Sequence, residues 1–314
     1  MVNAAKNTID YAHILALGIL LFLTVNLTGC GLLRTGMASL KSTSDFHPLE
    51  TDNRVLAESG AEDLARQVAG YLPEAIRTIE KEQYRDFTKP VTVYVCTSED
   101  SFAGHTGLSM HVRGALITKV YLSGRLKDPE FNETLKAILT HELSHLHLQQ
   151  QLGVYRYNAN IPAWFQEGLA VMVSNGGGAE KVSEAAAVKA IVEGRHFTPE
   201  AHGSFFRHKS GSSYGLEPHM FYRQAELFVG YIKRTSEFKF GLLMLAIADG
   251  GDFDNSFRAT YGMSIDETWQ DFIDQLREKL REMQFAVNAW PLSWRMDSIG
   301  TCLARRRGMD FGFV

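Results

Sequence analysis

The pattern H-E-x-x-H occurs at residues 141–145, and it constrains this chain more than any other feature of its sequence. Residues four apart on an α-helix lie on the same face, so His141 and His145 can direct their imidazoles at one metal ion. Glu142 lies roughly 100° further round the helix, which places its carboxylate beside the metal rather than on it. There it can accept a proton from water at the metal, the general-base role of this motif in metalloproteases.

The sequence around the motif predicts the helix that this geometry requires. Asp128, Pro129 and Glu130 are typical of a helix N-cap, a first helical position and an acidic first turn. Gly153 is typical of a helix end. Apolar residues recur at helical spacing between these ends, at Phe131, Leu135, Ile138, Leu139 and Leu146. We therefore expect one helix of about six turns with the motif in its middle.

A second segment can supply the third protein ligand that a catalytic zinc site requires. The metzincin pattern would place glycine and histidine three and six residues beyond His145, but Leu148 and Gln151 stand there. Residues 161–170 instead have a proline near their start and read Ile-Pro-Ala-Trp-Phe-Gln-Glu-Gly-Leu-Ala. This pattern predicts a second helix that carries Glu167 on its first two turns, after a loop long enough for the chain to return.

Three segments carry a resemblance to a known family. Residues 141–146 and 161–170, with a weaker match at 222–231, resemble the peptidase-MA-like, gluzincin-type domains of bacterial proteins. Together with the strands before them, these segments cover roughly residues 60–285, and the resemblance implies one Zn²⁺ ion per chain. The residues to which it assigns roles are the zinc ligands His141, His145 and Glu167 and the catalytic base Glu142.

The same resemblance implies a hydrogen-bond donor for the oxyanion of a tetrahedral intermediate. Tyr222 is the first candidate for this catalytic role, and His219 is the second. Because only spacing supports the assignment, packing of Tyr222 within its own helix is the open alternative.

The expected fold class is α+β, with a zincin or thermolysin-like order. A small N-terminal mixed sheet and the active-site helix precede a mainly helical C-terminal half. Residues 90–96 and 115–122 are rich in β-branched side chains and predict two strands. By resemblance, residues 116–121 form the upper edge of the cleft, where an extended peptide can add as a strand; an ordinary core strand fits equally well. Helices are expected at 61–80, 183–193, 221–234, 240–248, 255–261 and, opening with a capping box, 264–287.

The N-terminus predicts a lipoprotein. Ile14–Val25 is an almost unbroken apolar run, suited to a signal-peptide core and too short to span a bilayer. The following Leu-Thr-Gly-Cys resembles the bacterial lipobox and implies lipidation of Cys30, with an uncleaved signal anchor as the alternative. We expect anchoring to the outer membrane facing the periplasm, because no aspartate follows the cysteine. The expected division is a signal peptide at 1–29, a tether at 30–56, a metallopeptidase domain at 57–288 and a tail without an assigned role at 289–314.

Composition limits the classes of function and partner. The chain is 45% hydrophobic and 22% charged, with a formal net charge of −4, so it has no basic excess for a nucleic-acid partner. Of its three cysteines, Cys30 is assigned to lipid. Cys96 and Cys302 can pair in an oxidising compartment, but the strand position of Cys96 favours a buried thiol.

The predicted function is that of a zinc-dependent metallopeptidase acting on peptide or protein substrates in the bacterial cell envelope. The alternative is a non-catalytic, zincin-fold lipoprotein that serves as a binding or assembly factor. A purely structural zinc is disfavoured, because a closed site has no use for a base at Glu142.

Overall fold

The computed structural model describes residues 37–38, 40–116, 119–205 and 209–289. A small mixed sheet in the N-terminal half is followed by a mainly helical remainder, so the α+β class is confirmed at this level. The predicted signal peptide, Cys30 and the residues after 289, which include Cys302, lie outside the described residues.

Within the described ranges, the sheet has five strands. They are β1 (Phe46–Pro48), β2 (Val55–Glu58), β3 (Val93–Val95), β4 (Gly114–Leu116) and β5 (Val120–Leu122). Their order is β1-β2-β3-β5-β4, with antiparallel pairing at both ends and parallel pairing of β3 with β2 and β5. Among the residues that the structure describes, β4 is therefore an edge strand, paired on one side only.

The α-helices follow and interleave with these strands. They are α1 (Glu62–Glu82), α2 (Glu99–Thr106), α3 (Leu135–Asn160), α4 (Ala163–Val173), α5 (Glu184–Val192), α6 (Pro218–Thr235), α7 (Glu237–Ala248), α8 (Phe253–Tyr261) and α9 (Ile265–Ala289). The motif lies on α3, which packs against α1, α4 and the strands β4 and β5.

The two faces of the sheet are covered unequally. Val55, Val93 and Val120 lie in register across three strands and are fully buried in the main core with α1 and α3. The opposite face carries Tyr121 in a smaller cluster that includes Cys96. Cys96 is a free, buried cysteine, as the sequence favoured, and burial raises the pKa of its thiol to about 12.

One prediction for this sheet is wrong. Residues 115–122, expected as one strand, form the two strands β4 and β5, so only β4 is the edge that was expected at 116–121. The Ile-Thr-Lys between them contains no turn-forming residue, which is why the reversal gave no signal. The tether expected at 30–56 overlaps β1 and the start of β2, whose three and four residues are too few to show alternation.

The ends of α3 differ from the predicted helix. Asp128 precedes a separate 3-10 turn at Pro129–Phe131, and the α-helix begins only at Leu135. Gly153 has φ 75° and ψ 157°, a conformation outside the helical region that glycine tolerates. The predicted stop is therefore a kink, after which helical structure resumes to the end of α3. The motif lies in the regular part before it.

The mainly helical C-terminal half is confirmed. At the start of α9 the Glu267 N–H donates to Ser264 Oγ at 3.1 Å, and the Ser264 N–H donates to the Glu267 carboxylate at 2.7 Å, which is the predicted capping box. Aromatic packing joins α9 to α4. Phe228 of α6 lies between them, with ring centroids 5.0 Å from Trp164 and 4.8 Å from Trp269.

A glycine allows α4 and α6 to cross at very close range. A Cβ on Gly168 would lie 2.5 Å from the carbonyl oxygen of Ala225 on α6, which is closer than real Cβ atoms approach a backbone. The preceding residue on α4 is Glu167, the candidate third ligand. The position of that carboxylate therefore depends on this crossing.

A Gly168→Ala substitution should separate α4 from α6 and lower the free energy of unfolding by about 1–3 kcal/mol, the usual cost of overpacking. Urea denaturation of the metal-free protein measures this. The matched control is Gly70→Ala on α1, where a Cβ meets nothing within 4 Å and helix propensity should add about 0.5–1 kcal/mol. Equal stability of the two variants would contradict the close crossing.

Candidate metal centre

Three candidate ligands from two helices meet in one place. The Nε2 atoms of His141 and His145 are 3.1 Å apart on α3, and Glu167 Oε2 on α4 lies 3.4 and 3.6 Å from them, respectively. These three ligand atoms all lie within 4.8 Å of one another, close enough to hold a metal ion. The predicted grouping of these residues is thus confirmed.

Contacts on the far side of each imidazole orient it toward the shared centre. His141 Nδ1 lies 2.8 Å from the carbonyl oxygen of Gly177, which can only accept a hydrogen bond, so Nδ1 carries a proton and Nε2 is the nitrogen that faces the other candidate ligands. His145 Nδ1 lies 2.9 Å from the hydroxyl of Tyr157. Such outer partners fix the ring orientation of metal-ligating histidines.

The three donor atoms are arranged as a bound cation would require. Glu167 Oε2 is buried and has no hydrogen-bond partner among the described residues. Its distances to the two imidazoles exceed those of good hydrogen bonds. Two imidazole nitrogens and one carboxylate oxygen are ligands that Zn²⁺ accepts, and three protein ligands leave a fourth position open.

The charges of the cluster agree with this fit. Burial acts to raise the pKa of Glu167, but the imidazoles of His145 and His141 outweigh it and hold this pKa well below its ordinary value. Burial acts to lower the pKa of His141, and the carboxylates of Glu167 and Glu142 reverse that effect. A carboxylate that stays ionised beside two imidazoles is poised for a divalent cation.

Glu142 lies beside the cluster and against the edge strand β4. The backbone of Leu116 acts to lower the pKa of its carboxyl, and a Cβ on Gly114 would lie 2.8 Å from its Cγ. Burial raises the pKa of Glu142, although His141 and His145 oppose this. Only a glycine at position 114 leaves room for this carboxylate.

A cavity of about 550 Å³ adjoins the cluster and receives both His141 and Glu142. Residues of β4 and the segment before it form one wall, and the start of α6 forms another. The cavity gives a ligand access to the metal ligands and to the candidate base together.

Both candidate oxyanion donors line this cavity from α6. The ring of Tyr222 lies 6.1 Å from the ring of His141, centroid to centroid. The carboxylate of Glu167, followed by burial, raises the pKa of Tyr222 well above its ordinary value, so the hydroxyl keeps its proton at neutral pH. His219 Nδ1 lies 3.6 Å from Glu180 Oε2, so its imidazole faces a carboxylate.

Two contacts to the cluster, those of Tyr157 and Gly177, gave no signal in the sequence. Tyr157 follows the kink of α3, so helical spacing from His145 does not predict their contact. Gly177 belongs to the glycine-rich loop after α4, which sequence alone marks only as flexible. His147, two residues past the second motif histidine, instead contacts the carbonyl oxygen of Arg85 at 2.8 Å and takes no part in the cluster.

The sequence matches no family model and no curated protein. Within the ranges that the structure describes, no helix is long and apolar enough to cross a membrane. The chemistry of this centre is therefore argued from its own residues.

A Tyr157→Phe substitution should lower zinc affinity by about 10- to 100-fold, the usual cost of losing an outer-shell partner. The ring packing stays, but His145 Nδ1 loses its hydroxyl partner. Competition with a chelating dye measures the affinity. The control is Tyr155→Phe, an exposed tyrosine of the same helical segment, which should bind zinc like the wild type. Equal affinities of the two variants would show that Tyr157 does not orient the ligand.

Proposed function

We propose that this protein is a zinc-dependent metallopeptidase of the zincin type, with His141, His145 and Glu167 as zinc ligands. The observation that carries the proposal is the position of Glu142. This buried carboxylate follows a ligand in sequence, stands outside the ligand group and lines the same cavity as His141. A purely structural metal site needs neither an adjoining cavity nor a base.

Zinc, when bound, supplies a Lewis acid that polarises the scissile carbonyl and lowers the pKa of an attacking water. Glu142 accepts the proton of that water and transfers it to the leaving nitrogen. Its burial raises the pKa of its carboxyl, which brings a carboxylate closer to the operating range of a general acid–base group. The close approach of Gly114 confines the Glu142 side chain between the strand and the cavity.

Tyr222 stabilises the oxyanion from the opposite wall. Its hydroxyl keeps its proton at neutral pH, and it hydrogen-bonds to no other described residue in the structure, so it is available to a substrate. A donor aimed at developing charge acts most strongly in such a water-poor site. His219, three residues earlier on the same helix, is the second candidate for this role.

β4 supplies a place for the substrate backbone. It is an edge strand with one side unpaired, and Gly114 at its start lines the cavity beside Glu142. An extended peptide can pair with such an edge through main-chain hydrogen bonds. This pairing would carry the scissile bond past the base and the metal ligands.

A Glu142→Gln substitution should keep zinc and peptide binding while hydrolysis falls by about 100- to 10,000-fold, since the amide cannot accept the proton. A proteome-derived peptide mixture, with cleavage products identified by mass spectrometry, serves as substrate. The control is Glu130→Gln, which removes an exposed carboxylate of the 3-10 turn outside the cavity. A zinc-loaded Glu142→Gln protein that hydrolyses at the wild-type rate would contradict the proposal. A zinc-loaded wild type that cleaves no peptide would favour the binding-factor alternative.

A Tyr222→Phe substitution should lower turnover by about 100-fold or more, as the loss of one oxyanion donor usually does. Zinc content and thermal stability should be retained, because the ring and its packing remain. The same peptide mixture provides the rate, and Tyr155→Phe again serves as the control. Unchanged turnover would indicate that Tyr222 serves only in packing and that His219 is the donor to test next.

We further propose that the protein acts in the bacterial cell envelope as a lipoprotein anchored at Cys30. The support is the apolar run of residues 14–25 and the lipobox-like residues that end at Cys30. Mass spectrometry of the mature N-terminus tests this directly. An acylated cysteine at the first position agrees with it, whereas an unprocessed methionine terminus would exclude it.

A further inference from the structure

The charged side chains that line the cavity are mostly basic. Arg113, Arg125 and Lys181 line it together with one carboxylate, that of Glu142. The chain as a whole carries a formal net charge of −4, so the excess charge of the cavity lining has the opposite sign to the net charge of the chain. A cleft lined by one sign of charge concentrates ligands of the other sign.

Phe131 fixes two of these cations at one side of the cavity. The guanidinium carbons of Arg113 and Arg125 each lie 5.5 Å from the centroid of its ring. Both contacts are within the range of cation–π interactions.

The existing partners of these cations leave donors unused. The side chain of Arg113 makes one hydrogen bond with another described residue, at 2.9 Å to Glu180. Arg125 Nε is 3.6 Å from Glu99 Oε1, and Arg125 Nη1 is 3.4 Å from His111 Nδ1. A guanidinium has five N–H donors, so most of those on both arginines remain available to a ligand.

Lys181 adds a third positive charge at the rim. It is exposed, and no carboxylate among the described residues lies within 4.0 Å of its ammonium group. Arg113, Arg125, Phe131 and Lys181, here called the basic subsite, thus form a cluster with unused guanidinium donors and one ammonium group without a carboxylate partner among the described residues, beside the candidate base.

We propose that the basic subsite binds a carboxylate of the substrate, so that the protein acts on peptides with an anionic group near the scissile bond. This inference rests on the proposed peptidase function for the identity of the ligand as a peptide. The carboxylate can come from an acidic side chain or from a free C-terminus. Planar guanidinium groups match either source, because they offer paired donors to the two oxygens of a carboxylate.

Binding to the zinc-loaded Glu142→Gln protein tests the subsite without turnover. The probes are acetylated, dye-labelled, alanine-rich peptides measured by fluorescence anisotropy. One pair differs by Glu against Gln at an internal position, with the C-terminus amidated. A second pair is neutral and differs by a free against an amidated C-terminus. We expect the anionic member of one pair to bind about 10- to 100-fold tighter, the scale of hydrogen bonds to charged groups.

Variants of Arg125 in the same background assign the preference to the subsite. Arg125→Gln should bring the affinities for the anionic and the neutral member of a pair close to each other. Arg125→Glu should make the protein bind a Lys-containing peptide more tightly than its Glu counterpart. Arg125→Lys keeps the charge and should retain much of the preference. The matched control is Arg277→Gln, an exposed arginine on α9 outside the cavity, which should keep the full preference.

Equal binding within both pairs, or no binding of any peptide, would overturn the basic subsite. The same holds if Arg125→Glu leaves the preference unchanged. Hydrolysis by the wild type separates the two proposals. Cleavage of neutral and acidic peptides at equal rates would contradict only the subsite proposal. A carboxylate preference in binding without any hydrolysis would contradict only the peptidase proposal.

Discussion

Two imidazole nitrogens held 3.1 Å apart, both facing a buried carboxylate oxygen, are the arrangement on which the rest of this structure depends. Two ring nitrogens at that separation need a proton or a cation between them, and a buried carboxylate oxygen without a hydrogen bond is costly. A cation at their common centre resolves both problems at once. The regular part of α3 carries the two rings. The close packing of Gly168 against α6 positions the carboxylate of Glu167, the preceding residue.

The loop after α4 connects this centre to the walls of the cavity. The carbonyl of Gly177 orients His141, and the next residue, Gly178, donates its N–H to Glu180 at 3.0 Å. Glu180 also accepts from Arg113, in the segment before β4, and faces His219 on α6. One carboxylate therefore connects the orientation of a candidate metal ligand to both sides of the cavity. Changes in this loop should affect metal binding and the shape of the cavity together.

Local periodicity explains which parts of the site could be predicted. His141 and His145 lie one turn apart on a regular helix, so their spacing alone places both rings on one face. Glu167 required a second helix and a return of the chain, which proline and apolar residues indicated. The C-terminal helices were found in the same way, from period and caps such as Ser264.

The features that sequence missed depend on contacts between distant segments or on single departures from regularity. The kink at Gly153 carries Tyr157 to His145, and helical spacing does not foresee it. The reversal between β4 and β5 uses residues without turn propensity, so one strand was expected where two exist. The fit of Gly114 over Glu142 is a contact between two elements that only the folded structure brings together.

The central claim is that His141, His145 and Glu167 hold one metal ion per chain. X-ray absorption spectroscopy of the purified protein, combined with elemental analysis, tests it most directly. The account predicts one zinc per chain with two imidazole nitrogens at about 2.0–2.1 Å and oxygen ligands completing the shell, and near-complete loss of zinc in Glu167→Ala. Full zinc occupancy in Glu167→Ala, or a shell without imidazole, would contradict it.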